Sequence, residues 1–150
     1  MSIRPEQTLS NQVCHSLYSA TNAMVRAYRP LLDPLDLTYP QYLVMMALWE
    51  ADGIAVKELV RQTRFDSGSL TPILKRLEQK GFIERKRSQS DERQRVIQLT
   101  QAGRHKQREA QKVPELFYCR SGMTPEQAMT IKELTETLYQ HLAILEPVED

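Results

Sequence analysis

The chain is 150 residues long, 41% hydrophobic and 26% charged, a balance that suits one globular domain with a hydrophobic core. No apolar run approaches the ~18 residues of a membrane span. The opening MSIRPEQTLSNQ lacks the apolar stretch of a secretory leader, so a cytoplasmic chain with no membrane partner is expected. The net charge of +1 hides a division: residues 55–108 hold 14 Lys and Arg against 6 Asp and Glu, a surplus of +8, and the remainder carries −7. A local cluster of one sign points to a polyanionic partner at one face.

In chain order, Val13, Leu17, Ala20, Met24 and Ala27/Tyr28 recur at spacings of three and four, which predicts a first helix over about 10–28. Pro30 is expected to end or kink it, leaving 31–37 as a connector. Pro40 suits a helix start, and YLVMMALWE continues as a helix apolar on all sides, hence central in the core, with Gly53 marking its end. A short helix is expected over 56–62, with Val56, Leu59 and Val60 inward. Three residues later another begins near 66–69, with Pro72 in or near its first turn, Ile73, Leu74 and Leu77 inward, and Gly81 beyond its end. That is helix-turn-helix spacing. Two β-like runs follow, 82–87 and 95–99, with a polar tip at 88–94. Thr100 then caps a polar helix to about Lys112, Pro114 interrupts, and Thr124-Pro125-Glu126-Gln127 starts a final helix with a capping box.

The helix beginning near Asp66 and the hairpin after it suit the grooves of double-stranded DNA. Ser67, Ser69 and Thr71 stand where a recognition helix reaches base edges, although plain capping explains each hydroxyl equally well. Lys75 and Arg76 follow one turn on, suited to phosphate or guanine. Arg85, Lys86 and Arg87 alternate along the first strand, so Arg85 and Arg87 share a face. Arg93, near the tip, is the minor-groove candidate, with Asp91 positioning an arginine. The terminal helices carry apolar stripes with little surface of their own chain to cover, which implies a homodimer reading two half-sites ~34 Å apart.

Two cysteines, Cys14 and Cys119, lie far apart with no Cys-x-x-Cys and no Cys/His cluster, so no metal or cofactor is expected. Nor is a permanent disulfide expected in a reducing cytoplasm. Either both thiols are packed or at least one has redox work. His15, His105 and His141 form no ligand constellation.

The runs VKELVRQT, DSGSLTPILKRLEQKGFIERKRS and SDERQRVIQLTQAG resemble the winged-helix core of MarR-type transcriptional regulators, and the Asp91-x-Arg93 wing followed by Ile97-x-Leu99-Thr100 carries that family's signature. The resemblance implies a mainly α fold with a small β-hairpin wing. It places a DNA-binding core at about 55–100 and dimerisation helices at about 5–32 and 101–146, within one domain over 1–150. The block QVCHSLYSATNAMVRAYRPLLDPLDLTYPQYLVMMALWE is similar to the organic-hydroperoxide-sensing, OhrR-type branch. That resemblance implies that Cys14 is the peroxide sensor, with Tyr28 and Tyr39 donating near it across the dimer and Tyr18 a weaker counterpart. Cys119 falls where two-cysteine members hold a resolving thiol. His15 replaces a usual apolar aromatic, and Arg95 a typically apolar strand residue.

The chemistry so implied begins with a thiolate whose pKa the phenols lower by donating to it. It attacks an organic hydroperoxide, the sulfenic acid condenses with Cys119 of the other subunit, and the repressor leaves its operator. Two other outcomes are compatible with the sequence: a repressor released by a small apolar or phenolic ligand without redox chemistry, and a thiol peroxidase. The basic hairpin and the lack of a recycling motif favour a regulator that is not an enzyme.

Overall fold

The structure, a computed structural model, describes residues 4–145. It is mainly helical, with one small sheet, as expected. Helices α1 (Val13–Leu32) and α2 (Tyr39–Glu50) lead to a two-residue strand β1 (Ile54–Ala55), followed by α3 (Val56–Thr63) and α4 (Ser67–Gln79). Strands β2 (Ile83–Arg87) and β3 (Arg95–Leu99) form the hairpin, and α5 (Gln101–Ala110), α6 (Val113–Ser121) and α7 (Pro125–Ala143) complete the chain. The sheet is antiparallel in the order β1-β3-β2, with Ile54 opposite Ile97 and Ile83 opposite Leu99. Among the described residues no helix is long and apolar enough to cross a membrane, and no group of three or more His, Cys, Asp or Glu is placed to hold a metal.

Residues up to Pro114 make one compact unit, and those from Glu115 onward a second. The core of the first is built around α2, whose Tyr42, Val44, Met45 and Leu48 are buried, as the all-round apolar pattern predicts. Leu32, Leu35 and Leu37 enter from the α1–α2 link, Leu59 from α3, Leu70, Leu74 and Leu77 from α4, and Phe82, Ile83, Ile97 and Leu99 from the hairpin. Full burial of each such side chain contributes about 1.5–3 kcal/mol. In the second unit α7 starts as its sequence predicts, with Thr124 accepting from Gln127 N at 3.2 Å and Gln127 Oε1 accepting from Thr124 N at 3.0 Å. No residue of α7 is buried.

Three prolines behave differently from expectation. Pro30 neither ends nor breaks α1, which runs on to Leu32. It sits exposed in the final turn, where only the bond to the Arg26 carbonyl is lost, and burial of Leu32 holds the turn closed. Pro72 is the sixth residue of α4, beyond the first turn. Its missing N–H frees the carbonyl of exposed Gly68, which water can satisfy, while Leu70 and Leu74 anchor the helix on either side. Pro114 opens a helix instead of merely interrupting one: it is the second residue of α6, where an absent N–H costs little. The last expected dimerisation segment reaches Glu146, which lies outside the described residues, and α7 itself ends at Ala143.

Three fastenings fix the hairpin and α4 within the first unit. The Gly81 N–H bonds to Glu78 O at 2.9 Å and Phe82 N–H to Leu77 O at 3.0 Å, a left-handed helix end that Gly81 permits at φ +75°. Asp52 Oδ1 accepts from Gly53 N and Leu99 N, each at 2.8 Å, and Oδ2 from Arg104 Nη2 at 2.9 Å. Lys80 Nζ donates to Asp36 O at 2.5 Å and to Gln41 Oε1 at 3.0 Å, and lies 3.1 Å from Asp36 Oδ1. Gln41 is the buried polar side chain of this core and also caps α2 through Thr38 N. The end of α4 is thereby tied to the left-handed turn at Asp36 that follows α1.

Gly103 is where α2, α5 and the hairpin meet: Trp49 Nε1 donates to its carbonyl at 3.0 Å, and a Cβ there would stand 2.1 Å from Phe82 O. Gly103→Ala is expected to cost about 3 kcal/mol in urea denaturation through overpacking. At the start of α4, Asp66 accepts from Ser69 N at 2.7 Å and Ser69 Oγ at 2.8 Å, and these two bonds, the backbone one foremost, hold its carboxyl below the ordinary 3.8. A depressed carboxyl stabilises fully above its unfolded value, and the benefit is lost as pH falls through the folded one. The melting-temperature advantage of the wild type over Asp66→Asn should therefore be constant near neutrality and shrink as pH drops below 3.8.

Candidate nucleic-acid interface and the two thiols

Helix α4 buries Leu70, Leu74 and Leu77 and turns the opposite face outward. Ser67, Thr71 and Lys75, four residues apart, form one exposed row, and Arg76 belongs to the row beside it. The hydroxyls differ in what they already do. Ser69 is committed to the Asp66 cap, and Thr71 Oγ1 donates to Ser67 O at 2.8 Å. Capping thus accounts for Ser69, whereas the Ser67 hydroxyl has no partner among the described residues.

Charge pairing sorts the cations of the basic segment. Arg61 is held by Glu58, Lys86 lies 2.9 Å from Glu84, and Arg104 is held by Asp52. Arg85 is partly buried, its Nε 3.5 Å from Glu78 Oε2 on α4, at ion-pair distance but without hydrogen-bond geometry. The side chains of Lys75, Arg76, Arg87, Arg93 and Arg95 have no ion-pair partner among the described residues, and all five are exposed. Glu58, Glu84 and Asp52 thus neutralise Arg61, Lys86 and Arg104, and exposed Lys75, Arg76, Arg87, Arg93 and Arg95 are left as a positive strip along α4 and the wing. At the tip Asp91 Oδ1 accepts from the backbone N–H of Arg93 at 3.0 Å, so it shapes the turn that presents Arg93 and does not pair with the guanidinium. Sequence reasoning passed over Arg95 as a contact, because its significance lies in the register that sets it opposite Arg87.

Cys14 is exposed in the first turn of α1, among exposed Val13, Leu17 and Tyr18. Tyr18, one turn on, shares its face. Tyr28 and Tyr39 lie elsewhere. Their rings are 4.7 Å apart, and Tyr42 joins them at 6.1 and 6.5 Å. Fourteen residues of helix separate Cys14 from Tyr28, about 21 Å along the axis, so one subunit cannot bring that thiol and that phenol together along α1. Burial pushes the Tyr39 phenol up, and burial followed by the charge of Tyr39 pushes up Tyr42, so both keep their protons at neutral pH and remain donors. The cleft beside Tyr39, lined by Val25, Arg29, Leu37 and Pro40 among others, is about 140 Å³, below the usual size of a small-molecule site. Cys119 is exposed on α6, near exposed Leu116 and Tyr118. The structure thus gives Cys119 a helical seat that the sequence pattern did not reveal.

The family profile described as transcriptional regulator SarA/Rot matches residues 26–110. Over 137 residues the chain is 42% identical to the organic hydroperoxide resistance transcriptional regulator of Bacillus subtilis strain 168, covering 91% of each protein. Its fold is similar to that of AbfR of Staphylococcus epidermidis. Reduced AbfR bound to DNA matches with a TM-score of 0.75 at 35% identity, over 91% of this chain and 94% of that one. The disulfide-formed AbfR matches with a TM-score of 0.62 at 37% identity, over 90% and 92%. With this likeness, the three-stranded wing and the helix-turn-helix of α3 and α4, the chain belongs to the MarR-type winged-helix, DNA-binding transcriptional regulators, in the branch of the organic hydroperoxide resistance regulators.

Proposed function

We propose that the chain is a dimeric repressor that holds operator DNA while Cys14 is reduced and releases it once an organic hydroperoxide has oxidised that thiol. The observation that carries this reading is that each thiol lies exposed on a helix among exposed apolar side chains: Val13 and Leu17 around Cys14, Leu116 and Tyr118 around Cys119. A second copy covers such faces, and the ~21 Å between Cys14 and Tyr28 along α1 calls for the phenols of the partner. Likeness to a regulator named for organic hydroperoxide resistance, and to a protein solved in both reduced and disulfide forms, supports the same chemistry.

On DNA, α4 enters the major groove with Ser67, Ser69, Thr71, Lys75 and Arg76. Arg93 enters the minor groove, and Arg85 and Arg87 face the backbone between them. In the sensor, phenol O–H groups of Tyr28 and Tyr39 donate to the Cys14 thiolate, with Tyr18 beside it. The thiolate attacks one peroxide oxygen and the O–O bond breaks. The sulfur becomes a sulfenic acid, and the other oxygen leaves as an alcohol after taking up a proton. The thiol of Cys119 of the partner subunit then displaces water to give a disulfide. Closing that bond requires Cα atoms within ~7 Å. Helices drawn to that distance move the two wings off half-site spacing, and a coupling of ~3 kcal/mol lowers affinity about 150-fold.

The test uses the full-length protein and a duplex selected for binding from a random pool. Organic hydroperoxide should weaken binding on the order of 100-fold in the wild type and leave Cys14→Ser bound. A dimer linked between subunits should appear on non-reducing mass analysis. Release that survives Cys14→Ser would instead establish ligand-type derepression. Many turnovers of peroxide with a thiol reductant would establish a peroxidase.

A further inference from the structure

Two arginines of the wing face each other across the hairpin with no acid between them. The ladder's parity is fixed at both ends: Thr100 N donates to Phe82 O at 3.1 Å, and Ser88 N to Gln94 O at 3.0 Å, so 82/100 and 88/94 are hydrogen-bonded positions. Counting inward, Ile83/Leu99, Arg85/Ile97 and Arg87/Arg95 are non-hydrogen-bonded pairs on one face. In such pairs the Cα atoms are ~4.5 Å apart and side chains lie closest. The face is buried at its base by Ile83, Leu99 and Ile97. It looks toward α4, as the approach of Arg85 to Glu78 shows. At its outer end it becomes wholly cationic, with Arg87 and Arg95 both exposed.

Like charges directly opposite each other destabilise a hairpin. Neither guanidinium has a carboxylate partner among the described residues: Glu84 is engaged with Lys86 on the other face, Asp91 shapes the tip turn, and exposed Glu92 at the tip pairs with neither arginine. An anion placed between two guanidiniums converts the repulsion into two charge-assisted, fork-shaped contacts. We propose that Arg87 and Arg95 form one clamp for a single phosphodiester of duplex DNA, on the strand that passes between α4 and the wing tip. The inference rests on DNA as partner and on the docking of α4 and the wing, and is independent of the thiol chemistry. It adds Arg95 to the interface and joins it to Arg87 as one site.

The experiment measures binding of the full-length protein to a mixed-sequence duplex across a salt series, because the phosphate contribution does not depend on sequence. The variants are Arg87→Gln, Arg95→Gln and the double substitution. A shared clamp predicts that each single variant reduces the slope of log K against log salt by about 0.9, and that the double variant reduces it no further. It also predicts that each single variant, unbound, melts at a higher temperature than the wild type. An Arg95→Gln slope equal to a steep wild-type slope would overturn the clamp alone. So would a double variant whose loss is the sum of the singles, or an Arg95→Gln protein that melts lower or fails to fold. A flat wild-type slope would overturn the DNA docking and the clamp together.

Discussion

Lys80 ties the end of α4 to the turn after α1 and to the start of α2. Its ammonium sits at the end of α4 and meets two oxygens of Asp36, in the turn after α1, and the side-chain oxygen of buried Gln41 on α2. Hydrogen bonds to a charged group contribute roughly 1.5–3 kcal/mol each. Within this unit, the end of α4 is thus fastened to the turn that follows α1. The packed leucines of α4, Leu70, Leu74 and Leu77, anchor the same helix in the core.

The wing is anchored by equally specific means. Asp52 gathers the wing's central strand and α5 into one carboxylate. Thr100 caps α5 through Gly103 N at 3.1 Å and donates to Gly81 O at 2.5 Å, and Gly103 lets the α5 backbone touch Phe82. Glu84 is spent on Lys86, Asp91 on the tip turn and Glu78 of α4 lies beside Arg85, while Arg87, Arg93 and Arg95 have no ion-pair partner among the described residues. A net charge of +1 for the whole chain conceals this, because the surplus is local.

Much of this was legible in the sequence because it is local. Periodicity located α2 and the inward rows of α3 and α4, the Thr124 capping box located α7, and Gly81 the end of α4. Contacts made across the fold were not legible. Lys80 meets residues about forty positions earlier, and Asp52 meets Leu99 and Arg104. Strand β1 is two residues long and exists only through pairing with β3. Prolines 30 and 72 were misjudged because burial of neighbouring leucines outweighs one lost backbone bond at an exposed carbonyl. The pairing of Arg87 with Arg95 needs the hairpin register, which composition does not carry.

The central claim is that the redox site is completed across two subunits, with Cys14 on one and Cys119 on the other. The direct measurement mixes Cys14→Ser and Cys119→Ser subunits, lets them exchange, oxidises the mixture with an organic hydroperoxide and maps disulfides by mass analysis without reduction. The expected result is a linked dimer containing one subunit of each variant, joined from the Cys14 of one to the Cys119 of the other, with neither variant linking on its own. A mixture that yields no such dimer, alongside a wild type whose Cys14 and Cys119 join within a single chain, would contradict it.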